Sequence, residues 1–248
     1  MYRVARRGND KLIDVVAALE SLKEQGKLEN HEAFYALPGR GRYFVKNRKM
    51  RQAAAMEMLR RNRRWFSLLA AWPDVRAIAV CNNLAFLNAG PESDIDLFIV
   101  VKPGRLWVTR FVLAGLLALF GKRPRPGREH GTICLSFFVA SDNLDLSSVV
   151  LKGEDIYLSY WLTSLLPVHD PDKLIAETQR RNEALIMSQR NDEVPSSSLW
   201  QAQTTGLVWR ILRLKLVCLA ALLRPLARVL KRLQFRHFPA SVVEAAKR

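Results

Sequence analysis

The sequence predicts an α/β fold of the α+β kind: a short mixed β-sheet backed by helices, with a helix–hairpin module at the amino end and a helical carboxyl-terminal region. Three observations carry this. Residues 75–81, 94–101 and 132–139 are short runs of β-branched, aliphatic and aromatic residues, the length and composition of strands. Between and around them lie longer segments whose apolar residues recur every three or four positions, as helices require. The chain has 248 residues, 49% of them hydrophobic, which supports one principal domain with an appended module.

Taken in order, residues 10–24 place Leu12, Ile13, Val15, Val16, Leu19 and Leu22 on a helical repeat that Gly26 stops. Residues 27–29 and 34–37 read as two short strands about a turn. A helix followed by a hairpin resembles part of a winged helix, and the module covers residues 1–41. It has no room for the three helices of a full winged helix, so a docking or structural role is favoured over nucleic-acid contact, although Arg40, Arg42, Lys46, Arg48, Lys49 and Arg51 lie beside it. A connecting helix over residues 42–73 carries Met50, Ala54, Met58, Leu59, Phe66 and Leu69 at helical intervals and is expected to brace the sheet. Arg60, Arg61, Arg63 and Arg64 suit the carboxyl pole of its dipole, and Pro73 ends it.

Beyond the second strand, Gly104 breaks the chain, and residues 106–120 form an apolar helix interrupted by Arg110, which should be buried against the sheet. Residues 121–131 are a loop rich in Lys, Arg and Pro, before the third strand. Residues 153–166 have the aromatic and leucine spacing of a packed helix closed by Pro167, and residues 172–189 that of an amphipathic one. His169 is expected in a loop or at a helix cap. The principal domain therefore spans residues 74–194, and residues 195–198 are the best linker candidate. The region 195–248 is basic, amphipathic and helical, punctuated by Arg210, Arg213, Lys215, Arg224, Arg228, Lys231 and Arg232 and bent at Pro225. Helices of this character cover their own domain's core or lie in a membrane interface; covering the core is the commoner use.

The chemistry concentrates in Glu92-Ser93-Asp94-Ile95-Asp96. Alternation along a strand puts Asp94 and Asp96 on one face, with Ile95 turned away. Two carboxylates held so close repel unless a cation sits between them. Hard oxygen ligands suit Mg²⁺ (or Mn²⁺), which takes one or two carboxylates together with substrate phosphates. The alternative is a polar strand end whose aspartates are merely solvated.

Upstream, the strand of residues 75–81 runs into Asn82-Asn83-Leu84-Ala85, read as a tight turn and a helical turn, and then a polar segment reaches Ser93-Asp94. Together with Lys102-Pro103-Gly104-Arg105-Leu106-Trp107 after the acidic strand, this order resembles the polymerase beta-like nucleotidyltransferase superfamily, in a branch with a winged-helix-like amino-terminal module. The resemblance implies Mg²⁺-dependent transfer of a nucleoside monophosphate from a nucleoside triphosphate to an acceptor hydroxyl that the sequence does not identify. By resemblance Asp94 and Asp96 are the catalytic metal ligands, Asn82 and Asn83 cradle the triphosphate, and Ser93 orients the first acid. Two positions depart from the family. Asn82-Asn83 replaces its Gly-Ser pair, asparagine being the residue next most tolerant of positive φ. The neighbouring strand offers Thr132, Cys134 and Ser136 where a third carboxylate is usual, with Glu129, Asp142 and Asp145 outside it. A catalytically impaired relative that binds nucleotide, nucleic acid or a protein partner as a scaffold is the alternative.

The formal charge of +16 sits at the ends: residues 1–70 hold 16 Lys/Arg against 7 Asp/Glu, and residues 201–248 hold 10 against 1. Such ends suit a polyanion, either nucleic acid or an anionic membrane surface. The 3 cysteines, Cys81, Cys134 and Cys218, have neither disulfide nor zinc spacing. With no signal-peptide pattern and no apolar run of about 18 residues, a cytoplasmic protein is expected, peripheral at the membrane if the basic ends engage lipid.

Overall fold

A computed structural model describes residues 12–32, 34–90, 92–125, 127, 129–151, 155–186, 199–204 and 206–235. The chain opens with α1 (Leu12–Glu24), then a hairpin of β1 (Glu29–His31) and β2 (Phe34–Ala36) in which Asn30 faces Tyr35. The hairpin docks on the start of α2 (Gly41–Ala70). Gly41 is required there because a Cβ would lie 2.1 Å from the His31 ring and 2.4 Å from the Glu29 carboxylate. Its N–H donates instead to Glu29 Oε1.

The principal sheet contains β3 (Val75–Val80), β4 (Ile95–Val101), β5 (Ile133–Ala140) and β6 (Leu166–His169), in the order β5-β4-β3-β6. β3 is antiparallel to both β4 and β6, whereas β5 runs parallel to β4, so the sheet is mixed as predicted. Parallel pairing requires a crossover. Here α4 (Leu106–Leu119) and the basic loop provide it.

β6 corrects the sequence reading. Residues 156–164 form α5 (Ile156–Ser164), but the chain turns extended at Leu165, two residues before Pro167, and Leu166–His169 pairs with β3 through Val80–Leu166 and Ile78–His169. Proline tolerates an edge strand because no ladder hydrogen bond is required on its free side. His169 is accordingly a strand residue, and burial, with the charge of Arg213, pushes its imidazole down to about 4. α6 (Leu174–Arg181) follows.

β4 is buried on both faces and divides the core. Ile95, Leu97, Ile99 and Val101 point to the side carrying Leu59, Phe66 and Leu69 of α2 and Leu113 and Leu117 of α4. Phe98 and Val100 point to the other side, against Trp161 and Leu162 of α5 and Ile175 of α6. Each such fully buried side chain contributes about 1.5–3 kcal/mol of transfer free energy. The connecting helix thus braces the sheet.

The carboxyl-terminal region forms α7 (Leu207–Leu223), a single 3₁₀ turn at Arg224–Leu226 holding Pro225, and α8 (Ala227–Phe235). Ala220 and Leu230 are buried in the α2–α4 side of the core, and Trp107 packs on Phe235 with ring centroids 4.9 Å apart. No helix among the described residues is long and apolar enough to cross a membrane. The linker candidate at residues 195–198 lies outside the described residues.

Candidate active site

The site forms where β3 ends and β4 begins. Val80 pairs with Leu97, and the Cys81 N–H donates to the Asp96 carbonyl at 3.0 Å, so the turn after β3 lies directly beside the acids. That turn is α3 (Asn82–Ala85), entered through Asn82 at φ 58°. This is the left-handed region that asparagine tolerates better than other residues with a Cβ. The predicted need for a permissive residue is therefore met.

Asn82 also organises the acids. Its Nδ2 donates to Asp96 Oδ2 at 2.7 Å, and its Oδ1 accepts from the Tyr157 hydroxyl at 3.1 Å. The other oxygen of Asp96 accepts from Ser136 Oγ at 2.6 Å. Both oxygens of that carboxylate are thus aimed by neutral donors, which hold its orientation without neutralising it. Ser93 acts one step earlier in the chain: its hydroxyl accepts from the Gly90 N–H at 3.1 Å and closes the turn that delivers Asp94. On the far side of α3, Arg48 of α2 donates to the carbonyls of Leu87 at 2.7 Å and Phe86 at 3.2 Å. These bonds hold Leu87 at φ 52°, another left-handed position.

Parallel pairing sets Cys134 opposite Asp96. The donor atoms of Asp94, Asp96 and Cys134 lie within 4.8 Å of one another, the group of this kind found among the described residues. Glu129 reaches the cluster only through its charge. Asp145 instead accepts from the Ser147 N–H at 2.8 Å. Asn182, polar and near the end of α6, is buried away from the acids, bonded to the Leu146 N–H and the Leu144 carbonyl at 2.7 Å each.

The five residues singled out in the sequence come together: Asn82, Asn83, Ser93, Asp94 and Asp96 line one cleft of about 420 Å³. Its remaining wall is mostly aromatic, from Tyr157, Tyr160 and Trp161 of α5 and Phe86, with Leu84 beside them; the Tyr160 and Phe86 rings lie 4.4 Å apart, tilted by 41°. These aromatic residues were not among the candidates. Spacing of three and four puts those of α5 on one helical face, a signal that reads equally as core packing. A second hollow of about 490 Å³, beside Arg42, Lys46 and Lys49, lies between hairpin and α2 and has no paired acids.

Burial, and then the charge of Asp96, raises the Asp94 carboxyl above its ordinary value. The folded chain therefore holds this proton more tightly than the unfolded chain does. Stability is lost as pH rises from the unfolded pKa through the folded one, and the cost is fully present above both. Asp94→Asn is expected to raise the melting temperature of the metal-free protein at pH 7. The gain should shrink as pH falls toward about 4, the pKa of an unfolded aspartate, and vanish below it, where the group is protonated in both states. Calorimetry across that range measures it.

No protein-family model, curated protein or solved structure matches the chain. The architecture itself, a mixed sheet flanked by helices, is broadly consistent with a nucleotidyltransferase-like α/β protein. The carboxylate–thiol cluster at its edge is able to chelate a divalent cation.

Proposed function

We propose that this protein is a Mg²⁺- or Mn²⁺-dependent nucleotidyltransferase. The observation that carries the reading is the convergence of Asp94 and Asp96 with the Asn82-Asn83 turn in one open, aromatic-walled cleft. The donor set fits a divalent cation held by Asp94 and Asp96 with Cys134 beside them. Its thiol is a soft donor and adds little to a hard ion such as Mg²⁺ or Mn²⁺, so the two carboxylates carry the fit. When bound, such an ion supplies charge neutralisation to the triphosphate. Asn83, exposed at the rim, and the Asn82 turn are placed to donate to phosphate oxygens. The exposed rings of Tyr157 and Tyr160 offer surfaces on which a base can stack. In the transfer the acceptor oxygen bonds to the α-phosphorus, the bond to pyrophosphate breaks, and the acceptor proton leaves. Positioning and charge supply the acceleration.

A second reading, nucleotide or partner binding without turnover, draws on Cys134. Burial and the two neighbouring carboxylates push this thiol up, so it stays protonated and is a poor base for an acceptor hydroxyl. The test is incubation with each α-labelled triphosphate, Mg²⁺ or Mn²⁺, and a panel of RNA, protein and small-molecule acceptors. Label transfer with pyrophosphate release establishes the enzyme. Triphosphate binding without release across the panel establishes the second reading.

The turn has its own test. Asn82→Ala places a residue that avoids left-handed backbone at φ 58° and removes both side-chain bonds, whereas Asn82→Gly removes the bonds alone. Asn82→Ala is expected to be the less stable of the two by about 1 kcal/mol. That is a difference of about 2–4 °C in melting temperature for a chain of this size. Equal melting temperatures would show that backbone conformation is not what selects asparagine here.

A further inference from the structure

Helix α7 carries apolar residues on two opposite sides, and the core uses only one. On α7, Leu216, Ala220 and Leu223 turn toward the core. At 100° per residue, Leu207, Ile211, Leu214, Cys218 and Leu222 fall together on the opposite side. Leu207, Leu214 and Leu222 are 73%, 68% and 74% exposed. Past Pro225, Leu226, Val229 and Leu233 recur at intervals of three and four along the margin of the α8 face that buries Leu230, and they too are exposed, with Arg228, Lys231 and Arg232 on the opposite side. A helix apolar all round is ordinarily buried all round.

The charges say what covers it. From Leu207 to Phe235 there are 7 Lys/Arg and no Asp or Glu. Arg210 and Lys215 flank the α7 stripe on its two sides by helical position, and Arg224, Arg228, Lys231 and Arg232 lie along the remainder. A second copy of the chain would fit poorly, because a two-fold interface sets this cationic surface against itself. A nucleic acid would neutralise the cations but leave the leucines in water. An anionic bilayer satisfies both: its acyl boundary accepts the apolar stripe while its headgroups meet the basic flanks, whose long stems reach outward.

We propose that the outer face of α7, continued by the exposed apolar margin and basic side of α8, is a docking surface for an anionic lipid bilayer, on which the protein lies peripherally. The inner face still covers the core, so the two uses of a basic amphipathic helix coexist on one segment. This surface is separate from the cleft and does not depend on what the cleft does.

The experiment is vesicle flotation of the full-length protein with pure phosphatidylcholine or with phosphatidylcholine containing about a third phosphatidylglycerol. The protein should float with the anionic vesicles, remain behind with neutral ones, and be released as salt rises toward about 1 M, where the Debye length shrinks to about 3 Å. Leu214→Ser with Leu222→Ser, both at exposed positions, should weaken partition about tenfold or more without changing the melting temperature. Arg210→Gln with Lys215→Gln and Arg224→Gln should remove the preference for anionic lipid. Retention of the full-length protein in the soluble fraction with anionic vesicles would overturn the proposal. So would equal binding to neutral vesicles, or a dimer seen by light scattering that the serine variants dissolve.

Discussion

Asp94→Asn and Asp96→Asn should each lower pyrophosphate release from a nucleoside triphosphate by about 10²–10³-fold, the range expected when one preorganised stabiliser of developing charge is removed. The substitutions keep shape and delete charge. Asp94 lies outside the hydrogen-bond pair that fixes Asp96, so Asp94→Asn leaves the Asn82–Asp96–Ser136 link in place. At position 96 an asparagine still answers both neighbours: its oxygen accepts from Asn82 and its amide donates to the Ser136 hydroxyl. Loss of activity in either variant can therefore be assigned to the missing charge, provided circular dichroism and melting show the native fold. Transfer that survives in the double variant would mean that the reaction, if any, occurs elsewhere on the protein.

The largest stability effect is expected from Phe98→Ala, at about 3–5 kcal/mol, the usual cost of emptying a buried aromatic site. For a chain of this size that corresponds to a fall in melting temperature of about 6–20 °C. Phe98 is fully buried two residues beyond Asp96, on the same face of β4. Its ring lies 6.0 Å from Phe137 and 5.5 Å from Trp161, and those two are 5.3 Å apart, so three rings close on one another. Trp161 also lines the cleft, and Tyr157 one turn earlier on α5 bonds Asn82. The cavity left by Phe98→Ala should thus loosen α5 and weaken triphosphate binding as well as the fold. Phe98→Leu, nearer in volume, is expected to cost less than about 1.5 kcal/mol. A melting temperature unchanged in Phe98→Ala would show that the three rings are not a packed unit.

Both predictions depend on alternation along one strand, and that alternation was legible in the residues alone. So were α2 and α4 as helices, although of the apolar positions named on α2 only Leu59, Phe66 and Leu69 are buried and Met50 is exposed, and α4 leaves Phe111 and Leu119 in solvent. Asparagine's tolerance of left-handed backbone, with the family resemblance, pointed to the turn at Asn82. The fourth strand was not legible. Leu166-Pro167-Val168-His169 is too short for a periodic signal, contains a proline, and follows a helix with no glycine between them. Its strand character comes from pairing with β3, some ninety residues upstream in the chain.

The cleft divides in the same way. Asp94, Asp96 and Asn82 lie within 15 residues of one another, and short-range geometry brings them together. Cys134, Ser136 and Tyr157 reach them only through the parallel crossover and the docking of α5. Sequence by itself determined the secondary structure of the strongly periodic segments and the shared face of the two acids, since backbone geometry acts between near neighbours. Only the tertiary structure decided which distant side chains complete the acid cluster and which side of α7 stays in solvent. Local periodicity marks a face as apolar; whether that face is covered depends on packing against residues far along the chain.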